Sequence, residues 1–457
     1  MPILFVFMWK NILNIHEKIK QDWRLLALVS YILVASLTLI LQEIQQGQKG
    51  EALDGVLFTL ASILATLVVT TFSFVFVALQ LASVQFSPRI IRSFFEYDHF
   101  SRFFLWSFLA CVAFLLLLQY FHFSDASLIY PKFGIIGAFY LIVLVFPLFI
   151  HHIVDNINAS SITQNIAQRT VKEIEFLYDN VGEIPQKQEV LKINALKSGY
   201  LDSINFDELM ALVPAENRSP IKIKPHIGSF VLEGSVLADI CYLPEDKEFF
   251  EQRLLAFSHC FEINKFRSYK QDIPFGIRQL VDIAIKAISP AVNDPTTALN
   301  CIDYLGQIIK KAVLSQNMSK QAKVMLSRSI FIREFTFEQM VDLAFDQIYF
   351  WGKEDYIVVR HLIKTISHLL PFVPEQEKLL VLIRQIEDFE LNYLHEGSPQ
   401  NGPFIRKEHR NSLRDYLLEF YQKAIYQIDT FDSSMPELIK TQQKYAKYVQ
   451  LLRNVKE

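Results

Sequence analysis

Long apolar runs are concentrated in the first 155 residues of the chain, and mixed polar and charged sequence fills the remainder. A helix needs about 20 mostly apolar residues to cross roughly 30 Å of hydrocarbon. Four runs meet or nearly meet that length, at about residues 25–41, 55–86, 103–121 and 133–150. The pattern therefore predicts an α-helical membrane protein with four transmembrane helices, which together form a domain at residues 23–155.

The second run is unusual because it carries hydrogen-bonding side chains at a regular spacing. On a helix that turns about 100° per residue, these side chains share an arc of roughly 80°. A helix–helix seam and the lining of a water-filled path on an oligomer axis both fit this arrangement. As a path, it would have a polar constriction at Gln80 and an apolar one at Phe76. The side chains, here called the polar stripe, are Thr59, Ser62, Thr66, Ser73, Gln80 and Ser87.

Basic residues collect in two of the segments that flank these runs. Four of them precede the first run, and Arg89, Arg92 and Arg102 separate the second run from the third. Because positive charge accumulates on the cytoplasmic side, both termini are predicted to be cytoplasmic. Arg89 and Arg92 fit two roles, which are anchoring to lipid phosphates and forming a positive ring that favours anions.

The first 22 residues combine an apolar stripe with neighbouring lysines. This pattern is typical of an interfacial amphipathic helix on the cytoplasmic leaflet. A helix packed on the protein's own soluble domain fits the same pattern.

The sequence after residue 155 predicts a cytosolic α+β domain. Residues 156–197 have the pattern of a helical linker, and residues 246–457 have that of a mainly helical domain. Between them, residues 198–245 contain short alternating strands broken by Gly228 and Gly234, which indicate a small β module. This module resembles the barrel-sandwich fold of lipoyl and biotinyl carriers. It lacks a lysine at its turn, which favours a structural role.

A helix start is indicated at Asn293-Asp294-Pro295-Thr296. Asp294 is a good N-cap residue, and Pro295 suits the first helical position. A rigid cap between two packed helices and an anion site at a helix N-terminus both fit the motif. The acidic cap disfavours the anion site.

Composition excludes several classes of function. The formal net charge of −3 gives no electrostatic footprint for nucleic acid. The four cysteines are widely spaced, so neither a zinc site nor a disulfide framework is predicted. Signatures of hydrolases, metalloproteases and nucleotide-binding loops are missing from the sequence. We therefore expect a protein that is not an enzyme and that has no cofactor and no metal.

Several sequence blocks together resemble the predicted bacterial membrane proteins of domain-of-unknown-function family 2254. The most specific are "QFSPRII" and "ISPAVNDPTTA", and others are "SGYL", "IGSFVLEGSVLADI" and "FEQMVDLAFDQI". The resemblance implies a bacterial inner-membrane protein and supplies no activity.

Two functional hypotheses follow from the residues. The first is a homo-oligomeric channel or transport-like protein for a small ion, in which the second run lines the path and the cytosolic domain assembles or gates it. The second is a membrane-anchored scaffold or sensor whose cytosolic domain binds a ligand or partner. The lipid bilayer is an expected partner under both hypotheses.

Overall fold

The computed structural model describes two compact units, Met1–Asn158 and Ala159–Glu457. The predictions for residues 1–22, for the run at 25–41, and for Ser87, Arg89 and Arg92 lie outside the described residues. The structure describes residues 50–85, 99–120, 158–178, 189–213, 220–242, 246–315, 323–327, 330–333, 335–390, 407–431 and 436–454, with single positions between 137 and 152.

The first unit is built on two helices, α1 (Gly50–Gln85) and α2 (His99–Tyr120). Residues three and four apart on α1 make one buried face, which includes Ala61, Leu64 and the half-buried Val68 and Val75. Such spacing places side chains in one row that can interlock with a neighbouring helix. The matching positions of α2 are apolar and buried, and they include Phe104, Phe108 and Leu115.

The prediction of four transmembrane helices is wrong for the described residues, which contain one helix long and apolar enough to cross a membrane. That stretch is Phe58–Val77 of α1, and few of its residues are buried. The apolar stretch Trp106–Leu117 of α2 is shorter than that of α1. Those residues rise only about 18 Å as a helix, which is less than the hydrocarbon thickness. The run at 133–150 is described only at scattered positions.

The second unit combines helices with two small sheets. Its helices before residue 320 are α3 (Ala159–Tyr178), α4 (Phe206–Ala211), α5 (Lys247–Glu251), α6 (Leu254–His259), α7 (Ile273–Ile288) and α8 (Pro295–Leu314). Its later helices are α9 (Phe337–Gly352), α10 (Tyr356–Leu369), α11 (Gln376–Glu390), α12 (Lys407–Asp429) and α13 (Pro436–Asn454). Its strands are β1 (Glu189–Asn194), β2 (Gly199–Ile204), β3 (Ile221–Ile223), β4 (Phe230–Val231), β5 (Val236–Tyr242), β6 (Phe261–Asn264), β7 (Lys323–Ser327) and β8 (Ile330–Arg333).

The strands do not form a self-contained module at residues 198–245, and this part of the predicted fold is also wrong. One sheet has the order β1-β5-β3-β8-β7, and the other has the order β4-β2-β6. The predicted module therefore contributes strands to both sheets, and β8 pairs in parallel with β3 from outside the predicted boundaries. Periodicity along the chain indicates strands, but it does not identify their partners.

Helices α7 and α8 form the central packing layer of the second unit, and α3, α9 and α10 pack against them. Apolar residues at helical spacing on α7, such as Ile277, Leu280 and Ala284, are fully buried. Both helices begin at an aspartate: Asp272 accepts the N–H of Phe275, and Asp294 accepts the N–H of Thr297. These caps satisfy N–H groups that helix geometry leaves without intrahelical partners.

Candidate functional site

A cleft of about 1050 Å³ lies within the second unit. Its walls come from α3, the β1–β2 turn, the end of β2, α4, and the segment from α6 through β6 to residue 271. Apolar side chains, including Phe176 and Leu196, face the cleft beside several charged groups. Phe176 is 51% exposed and Leu196 is 44% exposed, so the cleft offers apolar surface to an entering molecule.

Gln271 joins the walls of the cleft through its side chain and its backbone. Its side-chain amide accepts the N–H of Ile204 at 3.0 Å and donates to the carbonyl of Ile204 at 3.1 Å, as a neighbouring strand would. Its backbone N–H donates to Glu173 Oε2 on α3 at 3.0 Å. The φ of Gln271 is 56°, a left-handed conformation that costs a non-glycine residue energy. The three hydrogen bonds hold that conformation.

Glu173 is the carboxylate that ties α3 to this wall. Burial raises the pKa of Glu173 above its ordinary value, while the hydrogen bond from the N–H of Gln271 opposes that rise. The carboxylate is therefore used in holding Gln271 in place.

A buried ion pair supports the segment that leads to Gln271. Arg267 donates two hydrogen bonds to the carboxylate of Asp272, from Nε and from Nη2, each at 2.8 Å. The Asp272 side chain is almost fully buried, and it also caps α7. Gly228 lies against this carboxylate with a φ of 84°, and a Cβ at residue 228 would overlap the Asp272 side chain. Asp202 holds the same segment by accepting the N–H of Ser268 at 2.8 Å.

Another carboxylate of the cleft, Glu262, is also occupied. It accepts hydrogen bonds from Ser203 at 2.6 Å and Asn264 at 3.2 Å, and Lys270 lies 3.5 Å away. The pKa of Glu262 is lowered, chiefly by the hydrogen bond from Ser203. The Asn205 side chain donates to Glu208 at 2.9 Å. With Glu173, all three glutamates that line the cleft therefore have partners.

Two lysines of the cleft, unlike these carboxylates, have no partner among the described residues. Within the described residues, Lys172 on α3 and Lys197 in the β1–β2 turn line the cleft without an ion-pair or hydrogen-bond partner. Both side chains are exposed. The charged side chains of the cleft that have no such partner are therefore both positive, and they line the same cleft as Phe176 and Leu196.

The polar stripe lies in the first unit, on the face of α1 opposite the buried one. At about 100° per residue, its centre is roughly 160° from the centre of the buried face. The described members of the stripe are exposed, whereas Thr71, at 7% exposure, lies on the buried face. The α1–α2 contact therefore does not seal the stripe. Its exposed members are Thr59, Ser62, Thr66, Ser73 and Gln80, and Phe76 beside them is also exposed.

The hydroxyl groups of the stripe bond within their own helix. Ser62, Thr66 and Ser73 each donate to the backbone carbonyl four residues earlier, at 2.8 Å. This bond satisfies the donor without water or a second helix. One bond of this kind would not satisfy Gln80, because its carboxamide carries two donor hydrogens and an acceptor oxygen. The stripe therefore does not by itself require a water-filled path.

The Asn293-Asp294-Pro295-Thr296 motif lies at the start of α8. Asn293 has a left-handed φ of 49°, and the N–H of Asp294 donates to the carbonyl of Ala287 at 2.8 Å. The Asp294 carboxylate occupies the first-turn N–H of Thr297. The motif thus forms a tight link between α7 and α8, and its carboxylate stands where an anion would bind.

Sequence reasoning did not identify the cleft, because its residues are spread from position 172 to position 271. The local signal that does exist is "YKQDIP", where Asp272 precedes Pro274 as a helix start. That signal locates α7, but it does not reveal that the preceding Gln271 reaches β2.

The first unit contains one exposed helix long and apolar enough to cross a membrane, and the second unit contains a mixed sheet and a cleft. The chain matches the family model described as predicted membrane protein (DUF2254) over residues 23–368. The protein therefore belongs to this family of predicted membrane proteins, whose activity is unknown.

Among similar proteins are two from mycobacteria, the uncharacterised proteins Rv1290c of Mycobacterium tuberculosis and Mb1321c of Mycobacterium bovis. Each is 30% identical to this chain over 302 residues, which is 62% of this chain and 56% of the relative. The chain thus spans little more than half the length of the curated relatives it matches. No solved structure matches the chain significantly.

Proposed function

We propose that this protein is a membrane-anchored binding protein whose second unit takes an amphipathic anion into its cleft. The observation that carries the proposal is the charge pattern of the cleft: its glutamates have partners, while Lys172 and Lys197 have none within the described residues. Phe176 and Leu196 provide the adjoining apolar surface. A ligand with one anionic group and one apolar part satisfies both features.

The size of the cleft fits this class of ligand. Pockets for small molecules have volumes of about 300–1000 Å³ and combine apolar walls with a few polar groups. At about 1050 Å³, the cleft accommodates a molecule with an extended apolar part.

We favour binding over catalysis because the nucleophile candidates of the cleft are not activated. Burial, together with the negative charge of Glu208, raises the pKa of the Cys260 thiol to about 11. The thiol also donates to the carbonyl of Ala256 at 3.5 Å. A thiol in this state is a poor nucleophile at neutral pH. The Ser203 hydroxyl donates to Glu262, and the lowered pKa of that carboxylate makes it a weak general base for the serine.

A titration with hexyl phosphate tests the proposal, since this probe joins a phosphate to a short alkyl chain. We expect it to raise the midpoint of thermal unfolding of the full-length protein in lipid nanodiscs. Lys172→Gln and Lys197→Gln should each weaken its binding about tenfold, through loss of a charge-assisted contact. Lys440→Gln is the matched control, because Lys440 is also an exposed lysine but lies on α13, away from the cleft.

Uncharged hexanol controls for the apolar part of the probe. Equal stabilisation by hexanol, or equal weakening by Lys440→Gln, would count against an anion site in the cleft.

We further propose that the second unit is cytoplasmic and that the membrane is the bacterial inner membrane. The basic residues that follow α1 in the sequence support a cytoplasmic location for that end of the helix. The free, buried thiols of Cys241, Cys260 and Cys301 in the second unit fit a reducing compartment.

A homo-oligomeric channel is the second candidate, and one observation favours it. The polar stripe is exposed in the single chain and opposite the α1–α2 contact, so it is available to a second copy. The internal hydrogen bonds of its hydroxyls weaken the case for a path, and Gln80 strengthens it. Ion flux through proteoliposomes tests the candidate. A channel requires flux that Gln80→Leu changes and that Ile63→Ala, on another exposed part of α1, leaves unchanged.

A further inference from the structure

The β4-β2-β6 sheet has an exposed face that carries large apolar side chains. Phe230 is 58% exposed, Leu232 is 65% exposed and Phe266 is 53% exposed. With Tyr200, these residues define what we call the aromatic face. Single apolar residues are common on protein surfaces, but a contiguous group of this kind indicates an interaction surface.

The register of the sheet brings these residues together. Tyr200 on the central strand pairs with Phe230 on one side and with Asn264 on the other. The rings of Tyr200 and Phe230 meet edge to face at 5.2 Å. Leu232 and Phe266 each lie two residues further along from these partners, towards the same end of the sheet.

The opposite face of the same sheet is part of the core. Leu201 is 0% exposed, Ile263 is 3% exposed and Val231 is 6% exposed. Since successive strand residues point to opposite faces, the burial of these three residues directs Tyr200, Phe230 and Asn264 outward. The outward direction of Tyr200 and Phe230 therefore follows from the register, and Leu232 and Phe266 lie just past the ends of β4 and β6.

Backbone hydrogen bonds hold the edge of the aromatic face in a fixed shape. The N–H of Glu233 donates to Ser198 Oγ at 2.9 Å, and the N–H of Gly234 donates to the carbonyl of Ala195 at 2.8 Å. These bonds fasten the β4–β5 turn to the β1–β2 turn. The β1–β2 turn carries the exposed side chains of Leu196 and Lys197.

Positive charge borders the aromatic face. Lys265 Nζ lies 5.5 Å from the centre of the Phe266 ring, and Lys197 is exposed in the β1–β2 turn. Glu233 is the acidic residue of the β4–β5 turn. Aromatic and aliphatic side chains flanked by lysines are the combination that binds the interface of anionic bilayers, where the rings enter the headgroup region and the amines meet phosphates.

We propose that the aromatic face docks on an anionic lipid surface. The chain belongs to a family of membrane proteins and contains the apolar helix Phe58–Val77, so lipid is present at high effective concentration. A symmetric contact with a second copy is disfavoured, because it would bring the Lys197 and Lys265 pairs of both copies into one interface. The proposal does not depend on which ligand enters the cleft.

Photocrosslinking of the full chain in vesicles tests this proposal. Two variants each carry one photoreactive residue, Phe230→p-benzoylphenylalanine or Phe266→p-benzoylphenylalanine. Each variant is irradiated in vesicles of phosphatidylcholine with phosphatidylglycerol, and its adducts are identified by mass spectrometry. We expect lipid adducts at both positions. Tyr426→p-benzoylphenylalanine is the matched control, because Tyr426 is 72% exposed and lies on α12. It should give few lipid adducts.

The dependence of the adduct yield on anionic lipid and on Lys265 provides a second test. We expect adduct yield at residue 230 to fall about fivefold when phosphatidylglycerol is omitted, and by a similar factor with Lys265→Gln. Lys265 does not line the cleft, so this variant leaves the proposed ligand site intact. Adducts to a second protein chain, equal yields at residues 230 and 426, or a yield independent of phosphatidylglycerol would each overturn the proposal.

Discussion

At the scale of single residues, the cleft depends on a few side chains held in demanding conformations. Gln271 keeps a left-handed φ because three hydrogen bonds join it to β2 and α3. Gly228 adopts its left-handed φ without strain, and the Asp272 carboxylate leaves no space there for a Cβ. The conformational energy of Gln271 is offset by the hydrogen bonds that surround it.

Gly228→Ala tests that dependence. The substitution combines a left-handed backbone with an overlap against Asp272, so we expect the free energy of unfolding to fall by about 2–3 kcal/mol. Gly234→Ala separates the two causes, since Gly234 has a φ of 78° but open space around its Cβ. Its cost should be about 1 kcal/mol. Denaturant unfolding of both variants gives the comparison, and equal costs would contradict the role of Asp272.

Asp342 on α9 gives a prediction about pH. Partial desolvation, together with like charge from Asp346, Glu338 and Asp388, raises its pKa to about 6. Between the ordinary pKa of aspartate, about 3.8, and about 6, the folded state therefore binds more protons than the unfolded state. Stability from this group is present at acidic pH and is lost as the pH rises through that interval.

Asp342→Asn should therefore raise the midpoint of thermal unfolding at pH 7.5 relative to the wild type, and should give no increase at pH 4. Glu354→Gln, at an exposed position just after α9, is the control. A pH-independent difference between Asp342→Asn and the wild type would rule out the titration of Asp342 as its cause.

At the scale of elements, buried polar contacts join helices that lie far apart in the sequence. Lys378 on α11 is fully buried, and its ammonium donates to the carbonyls of Val313 at 2.9 Å and Ser315 at 2.6 Å. These carbonyls belong to the end of α8, where a helix leaves acceptors without intrahelical partners. Glu375 lies 3.4 Å from the ammonium. Lys378 thus caps one helix from another.

Lys378→Met keeps much of the side-chain volume and removes the donor. We expect a loss of about 2–3 kcal/mol in the free energy of unfolding, because buried carbonyls at the end of α8 lose their partner. Lys364→Met, at an exposed position of α10, should change stability by less than about 0.5 kcal/mol. Hydrogen exchange at the end of α8 locates the effect, and unchanged exchange there would contradict the capping role.

Helices and strands were easier to predict from the sequence than the contacts between them. Local sequence determines the start of α8, where the Asp294 carboxylate meets the N–H of Thr297 three residues later. It does not determine that Gln271 bonds Ile204, which lies 67 residues away, or that β8 pairs with β3. Those pairings depend on the packing of the whole unit, and no local pattern in the sequence predicts them. The cleft was missed for the same reason.

At the scale of the whole molecule, the described residues contain one helix of sufficient length and hydropathy to cross a membrane, where the sequence predicts four. The predicted run at 25–41 lies outside the described residues, and the run at 133–150 is described only at scattered positions. The exposed apolar surface of α1 marks it as that helix, whereas α2 has a shorter apolar part. Membership of a family of predicted membrane proteins agrees with the exposed helix.

The proposed location of the second unit leads to a prediction for the whole chain. A green fluorescent protein fused after Glu457 should fluoresce in a bacterial host, because that reporter folds in the cytoplasm. Alkaline phosphatase fused at the same position should be inactive, because its disulfides require an oxidising compartment. The reverse result would place the carboxyl terminus outside the cytoplasm.

The parallel pairing of β3 with β8 matters for how the chain is synthesised. β3 ends at Ile223, and its partner begins at Ile330, so more than a hundred residues must leave the ribosome before one edge of β3 is covered. Until then the nascent sheet presents unpaired backbone groups to other chains. Helices α7 and α8 emerge in that interval. Truncated products that stop before β8 should therefore aggregate, and slow translation through α7 and α8 would prolong the vulnerable period.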